Sequence, residues 1–197
     1  MSTLPPTHPP GQAEAGPLLG CLSDRRRAHS EAVALRVAHT GPDYVPAQVV
    51  PDLVLSAALH DIGYAPDWAH IGFHPIDGAR HLRDQGFSAL VCHLVAHHTA
   101  ARAEAAERAL DLDIFDPFGP PASPPPQVSA RMLAVLTWAD LNTGPDGRPV
   151  EVHDRLEEIL RRYDKADPVH RYVTQHRDWL TAAGLHPLGM LTAGELP

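Results

Sequence analysis

The sequence predicts an all-α fold, a compact bundle of about six to eight helices joined by Pro-rich loops. Three observations predict it. From Leu18 onwards apolar residues recur three and four positions apart, the spacing that gathers them on one helical face. Start and stop signals punctuate that pattern, with Ser23, Pro51 and Pro75 at starts and Gly41-Pro42 and Gly86 at ends. No stretch alternates apolar and polar residues for long enough to read as a strand.

Residues 1–17 are Pro-rich with few large apolar side chains and read as a disordered leader. The domain is expected over 18–183. Its first helix spans 18–40, with Ser23 as a cap and Asp24 in the first turn. His29 shares a face there with Ala32, Val33 and Arg36. The second helix starts at Pro51 and runs to Leu59, apolar around almost its whole circumference, which marks it as central and buried. It ends at His60-Asp61, with Gly63 as the expected stop. After a loop over 64–73, a third helix begins at His74-Pro75. The fourth, from Ser88 to about Ala100, carries His93, His97 and His98 on or beside its apolar side. Residues 101–111 read as a solvated helical patch whose charges need no function. A Pro-rich connection over 113–127 follows, expected as a surface loop that can act as a flap. Helices over 128–141, 150–163 and 168–183 complete the domain, and 184–197 reads as an irregular tail.

Composition excludes several classes. A net charge of −8 and a pI near 5.9 argue against a general nucleic-acid or membrane-surface binder. No apolar run approaches the ~20 residues needed to span a bilayer. Cys21 and Cys92 are too few for a disulfide framework. With no secretory signal pattern, a cytoplasmic setting is expected. Lys165 is the only lysine, a skew that GC-rich coding explains. The 14 histidines are different, because their density between positions 60 and 98 calls for a chemical reason.

Adjacent His60 and Asp61 offer one nitrogen and one oxygen donor to a borderline divalent metal. A buried helix ending in an unpaired His-Asp would be costly, and a metal removes that cost. Other ligand-type residues stand at or near helix ends: His29, His74, His97-His98 and Asp140. Each alone has a bland reading as a core or surface side chain. Together they make the ordered pattern H…HD…H…HH…D.

This order resembles the HD-domain superfamily of metal-dependent phosphohydrolases, over roughly residues 23–143. Local context resembles it too: His29-Ser30, Ala57-Ala58-Leu59-His60-Asp61-Ile62-Gly63, His74-Pro75-Ile76-Asp77-Gly78-Ala79, His97-His98 and Ala139-Asp140. The resemblance implies that His29, His60, Asp61 and Asp140 hold a first metal. It implies that His74, with His97 or His98, holds a second, the ions sharing Asp61. The cofactor is then one or two divalent transition metals among Fe, Mn, Co, Ni and Zn, with Mg as a further candidate. In the cyclic-di-GMP phosphodiesterase branch an acidic residue and a Gly-Tyr-Pro motif follow the paired histidines. Here Thr99-Ala100-Ala101-Arg102 follow, which argues against that activity. Where some one-metal nucleotidases carry a glutamate, this chain has Tyr64.

The function expected is hydrolysis of a small phosphate ester or nucleotide by metal-activated hydroxide. Asp61 and Arg26 are the candidate catalytic residues. Arg26 stands three residues before His29 on a similar face, and an arginine there suits a substrate phosphate. Arg25, Tyr64, Thr99 and Thr143 are candidate substrate contacts, with Arg148 a further one. The partner expected is a phosphorylated small molecule, with no nucleic acid or membrane, and the oligomeric state is left open. Two alternatives stand: a two-iron oxygenase of the same superfamily cleaving a C–C or C–P bond with O2, and a degenerate sensor or scaffold.

Overall fold

The computed structural model describes residues 12–193. Over them the chain forms eleven α-helices linked by short 3-10 turns, and no strand. In order these are α1 (Gln12–Leu19), α2 (Asp24–Thr40), α3 (Val50–Leu59), α4 (His74–Asp84), α5 (Ala89–His97) and α6 (Ala101–Glu107). Then come α7 (Pro126–Leu141), α8 (Val152–Arg162), α9 (Pro168–Gln175), α10 (Arg177–Leu185) and α11 (Gly189–Thr192). The count exceeds the expected six to eight because short helices replace irregular ends and one long helix is broken.

The central helix is α3, as its all-round apolar surface predicts. It lies between two cores. Leu55 and Leu59 join Ile62, Phe73, Ile76 and Phe115 on one side. Leu53 and Ala57 join Val33, Val37, Leu94 and Met132 on the other. Leu53 and Leu59 are 0% exposed, and burying each stabilises the fold by roughly 1.5–3 kcal/mol. A third core joins α8, α9 and α10 to the end of α7 through Leu141, Leu156, Val173 and Leu180. No helix of the described residues is long and apolar enough to cross a membrane.

Ser23 caps α2, its hydroxyl accepting from the Arg26 amide at 3.4 Å, and Ser88 does the same for α5 at the Val91 amide. Four expectations need correction. The leader expected over residues 1–17 ends earlier: α1 begins at Gln12, and Ala15 and Leu19 pack into the first core; residues 1–11 lie outside the described residues. The helix expected over 168–183 breaks at His176 (φ −106°, ψ 19°), so that α9 packs on α6 and α10 packs on α7. The tail keeps helical structure through α11, with residues 194–197 outside the described residues. The Pro-rich connection is docked rather than free: residues 112–118 form a 3-10 segment whose Phe115 and Phe118 are buried.

Candidate metal centre

Five helix segments meet around one point, and each delivers a ligand-type side chain there. His29 comes from the first half of α2, and His60 and Asp61 follow the last residue of α3. His74 opens α4, His98 follows α5, and Asp140 stands in the last turn of α7. His29, His60, Asp61 and His98 are buried. Donor atoms of these six residues fall into overlapping groups that lie within 4.8 Å of one another. The Asp140 Oδ1 atom is 3.1 Å from His29 Nε2 and 3.9 Å from His60 Nε2. The Asp61 Oδ1 atom stands between His60 Nε2 at 3.6 Å and His74 Nε2 at 3.4 Å. The Nε2 atoms of His74 and His98 are 3.2 Å apart.

Gly63 explains how two of the segments come this close. A Cβ on Gly63 would stand 2.1 Å from the His74 carbonyl oxygen and 2.5 Å from the Gly78 amide. The bare backbone of Gly63 therefore lets the turn after His60-Asp61 touch the first turn of α4. Gly63 is not the left-handed stop expected from the sequence; its role is close approach. Asp77, fully buried, accepts from the amides of Ile71, Gly72 and Phe73. It thereby fixes the loop that delivers His74.

The second ring nitrogens decide what the first can do. The Nδ1–H of His60 donates to the Ala57 carbonyl at 2.8 Å, that of His98 to Val95 at 2.7 Å, and that of His29 to Gly144 at 3.0 Å. In His60 and His98 this tautomer leaves a lone pair on Nε2, aimed into the cluster. Such carbonyl partners orient metal-bound imidazoles and raise their basicity. Without a proton or a cation between them, the Nε2 atoms of His74 and His98 would set two lone pairs against each other.

The electrostatics agree. Burial pushes His60 down to about 4 and His74 well below the usual histidine value, so both rings are neutral near pH 7. Burial opposes the charged form of Asp61, but His60 and the Arg26 guanidinium outweigh it, and its carboxyl stands below the usual range. Burial likewise works against charge on Asp140, and the hydrogen bond from His29 overcomes it. Burial lowers His29, yet its hydrogen bond to Asp140 leaves it net raised. Neutral imidazoles and ionised carboxylates are the protonation states that bind a divalent ion. A cation would take the place of the His29 proton facing Asp140. The residues present fit one or two such ions.

The other expected site residues divide. Arg26 donates to Asp61 Oδ2 at 2.7 Å and lies over the Tyr64 ring, 3.3 Å from its centroid. Tyr64 in turn stacks on His74 with centroids 4.1 Å apart. Thr99 donates its hydroxyl to Asp140 Oδ2 at 2.6 Å, so it positions a carboxylate as well as lining the cavity. Arg25 also lines the cavity. His97 departs from the expected ligand set. Its Nε2–H donates to the Phe118 carbonyl at 3.0 Å, and its ring packs against His93 and Phe115, outside the cluster. Thr143 is a second correction: it is buried and spends its hydroxyl on the Ala139 carbonyl at 2.7 Å, closing α7. Arg148 is exposed beside Asp146 and does not reach the cavity.

The cavity over the cluster holds about 260 Å³. Its floor is Asp61, His74, His98 and Asp140, and its outer wall comes from α8 and α9. Arg155, Ile159 and Arg162 share one face of α8 at helical spacing, opposite Tyr172 and Val173. Glu158 holds both arginines, accepting from Arg155 at 2.7 Å and from Arg162 at 3.4 Å. Sequence reasoning missed this wall, and it missed Glu104, which lines the cavity from the helix read as solvated. The only available signal was its amphipathic register with Ala101 and Ala105.

Comparison with known proteins places the cluster. No curated protein and no solved structure matches the chain. The family model of the HD domain matches residues 26–121, the stretch that supplies every residue of the cluster except Asp140. Over that stretch the chain is similar to the HD domain, and the His and Asp residues gathered around one point are compatible with a metal site.

Proposed function

We propose that this protein hydrolyses a small phosphate ester at a centre built from His29, His60, Asp61, His74, His98 and Asp140. The observation that carries the reading is the joining of two features in one cavity. Neutral histidine nitrogens and ionised carboxylates form its floor, and arginines stand around it. A bound divalent ion supplies Lewis acidity to a water molecule and to a phosphoryl oxygen. Asp61, with one oxygen facing both His60 and His74, is the residue that two ions would share if both were held.

The rest falls to side chains of the chain. Arg26 holds Asp61 Oδ2 and orients the carboxylate, while the ring face of Tyr64, itself stacked on His74, braces the guanidinium. Arg25, Arg155 and Arg162 face the cavity and suit the charge of a phosphate ester. A volume near 260 Å³ favours a compact ester over a cyclic dinucleotide, since drug-sized pockets begin at roughly 300 Å³. The nitrogen-rich donor set also suits iron, which keeps the two-iron oxygenase as the second reading.

Protein loaded with manganese, cobalt or iron is screened for phosphate release from small monoesters, with and without O2. Metal-dependent release that ignores O2 and disappears in Asp61→Ala is the expected result. O2 consumption on addition of a phosphonate, with no phosphate release from any ester, would replace hydrolysis with oxygenation.

A further inference from the structure

Glu104 stands where a surface glutamate should not. Its side chain is 13% exposed, on α6, and it lines the cavity beside His98 and Tyr172. The Oε1 atom accepts the Nε–H of Arg108 at 2.8 Å and lies 2.7 Å from its terminal nitrogen in the same ion pair. Among the described residues, Oε2 receives no hydrogen bond. Oε2 is not among the sealed polar atoms that lack a partner, so it stays open to solvent, where a donor group brought into the cavity can replace water on it. Burial raises its carboxyl above the usual range, with the Arg108 charge only partly offsetting it.

The backbone shows that this placement is imposed. Between His98 and α6, Thr99 (φ 46°) and Ala100 (φ 58°) are both left-handed. That conformation costs a residue with a Cβ roughly 1–2 kcal/mol, so tertiary contacts must hold it. Three do: the Thr99 amide donates to Thr137, its hydroxyl to Asp140, and its carbonyl accepts from the Tyr172 hydroxyl at 2.7 Å. The kink turns α6 so that His98 and Glu104 face one cavity. Strain of this kind collects at functional sites.

Resting on the phosphohydrolase reading, we infer that Glu104 is a specificity residue, its free oxygen accepting a hydrogen bond from a hydroxyl or ammonium on the non-phosphate part of the substrate. The substrate class is then a small phosphomonoester with a donor group a few atoms from phosphorus. The arginines of α2 and α8 take the anionic end, and Glu104 reads the other.

Three isosteric esters test this: O-phosphoethanolamine, 2-hydroxyethyl phosphate and n-propyl phosphate, ending in ammonium, hydroxyl and methyl. Metal-loaded full-length protein is assayed for kcat/KM of phosphate release and, separately, for the rise in Tm that each ester produces. The donor-bearing esters are expected to win by roughly 10- to 100-fold, the effect of a hydrogen bond to a charged group. Glu104→Leu should flatten that ratio to within about twofold, and Glu104→Gln should keep preference for hydroxyl while losing it for ammonium. If Glu104→Leu does not fold, as circular dichroism will show, the wild-type ratio and Glu104→Gln decide. Equal use of all three esters by the wild type, or a preference surviving in Glu104→Leu, overturns the role of Glu104 and leaves hydrolysis standing. Donor-selective stabilisation without phosphate release keeps Glu104 and overturns hydrolysis. Stabilisation by none of the three overturns both.

Discussion

His97 and His98 are neighbours in sequence, both largely shielded from water, and opposite in role. His98 gives its Nδ1–H to Val95, one turn back on its own helix, and turns a lone pair into the cluster. His97 gives its Nε2–H to Phe118, on the docked 112–118 segment, and has no nitrogen facing the cluster. His60 repeats the first pattern through Ala57, and His93 repeats the second, donating to the same Phe118 carbonyl at 2.8 Å. What separates a histidine of the cluster from a packing histidine here is neither burial nor spacing. It is where the other ring nitrogen spends its proton.

The largest effect expected from this contrast is on turnover. Losing a histidine that holds a metal forfeits several kcal/mol of charge stabilisation, so His60→Ala should lower kcat/KM by roughly 10³-fold. His97→Ala should change it by less than about tenfold under the same assay. Comparable losses in both would erase the distinction. A step smaller is Thr99→Val, which removes the hydroxyl on Asp140 Oδ2 and keeps the shape. Losing an outer partner of this kind weakens metal affinity by about 10- to 100-fold, measurable by competition with a chelating dye.

The smallest effect belongs to the packing histidines and appears in stability. His97→Ala removes one buried hydrogen bond and its aromatic contacts and should cost about 1–2 kcal/mol, or roughly 2–8 °C in Tm for a chain of this size. Its pH dependence has a definite sign. Burial pushes His97 and His60 from 6.5 down to about 4. Between those values the unfolded chain binds protons that the folded one refuses, so the metal-free protein should lose stability as pH falls from about 6.5 towards 4. His29, raised by Asp140, works in the opposite direction. A Tm that rises on acidification through this window would contradict the neutral, buried state of His60 and His97.

Much of this was legible in the sequence, and the residues show why. The all-α fold and the central place of α3 follow from an apolar run that leaves no polar face. The cluster followed from ligand types at helix ends, a local signal that needs no long-range information. The choice between His97 and His98 did not follow, because adjacent residues point about 100° apart on a helix but can be splayed at its end, and the docked Phe118 carbonyl is what claims His97. Thr143 looked like a pocket residue by proximity to Asp140, yet its hydroxyl closes its own helix. Glu104 was illegible because its placement depends on α9, far along the chain, packing on α6, and on the left-handed turn at Thr99-Ala100. Gly63 was read as a helix stop, but its purpose is set by a partner, Gly78, on another helix.

The most direct measurement is metal content per chain, by elemental analysis of wild type, His98→Ala and His97→Ala purified from iron- and manganese-supplemented cultures. The account expects two ions in wild type, two in His97→Ala and one in His98→Ala, with all three proteins folded. Two ions retained in His98→Ala, or an ion lost from His97→Ala, would contradict it.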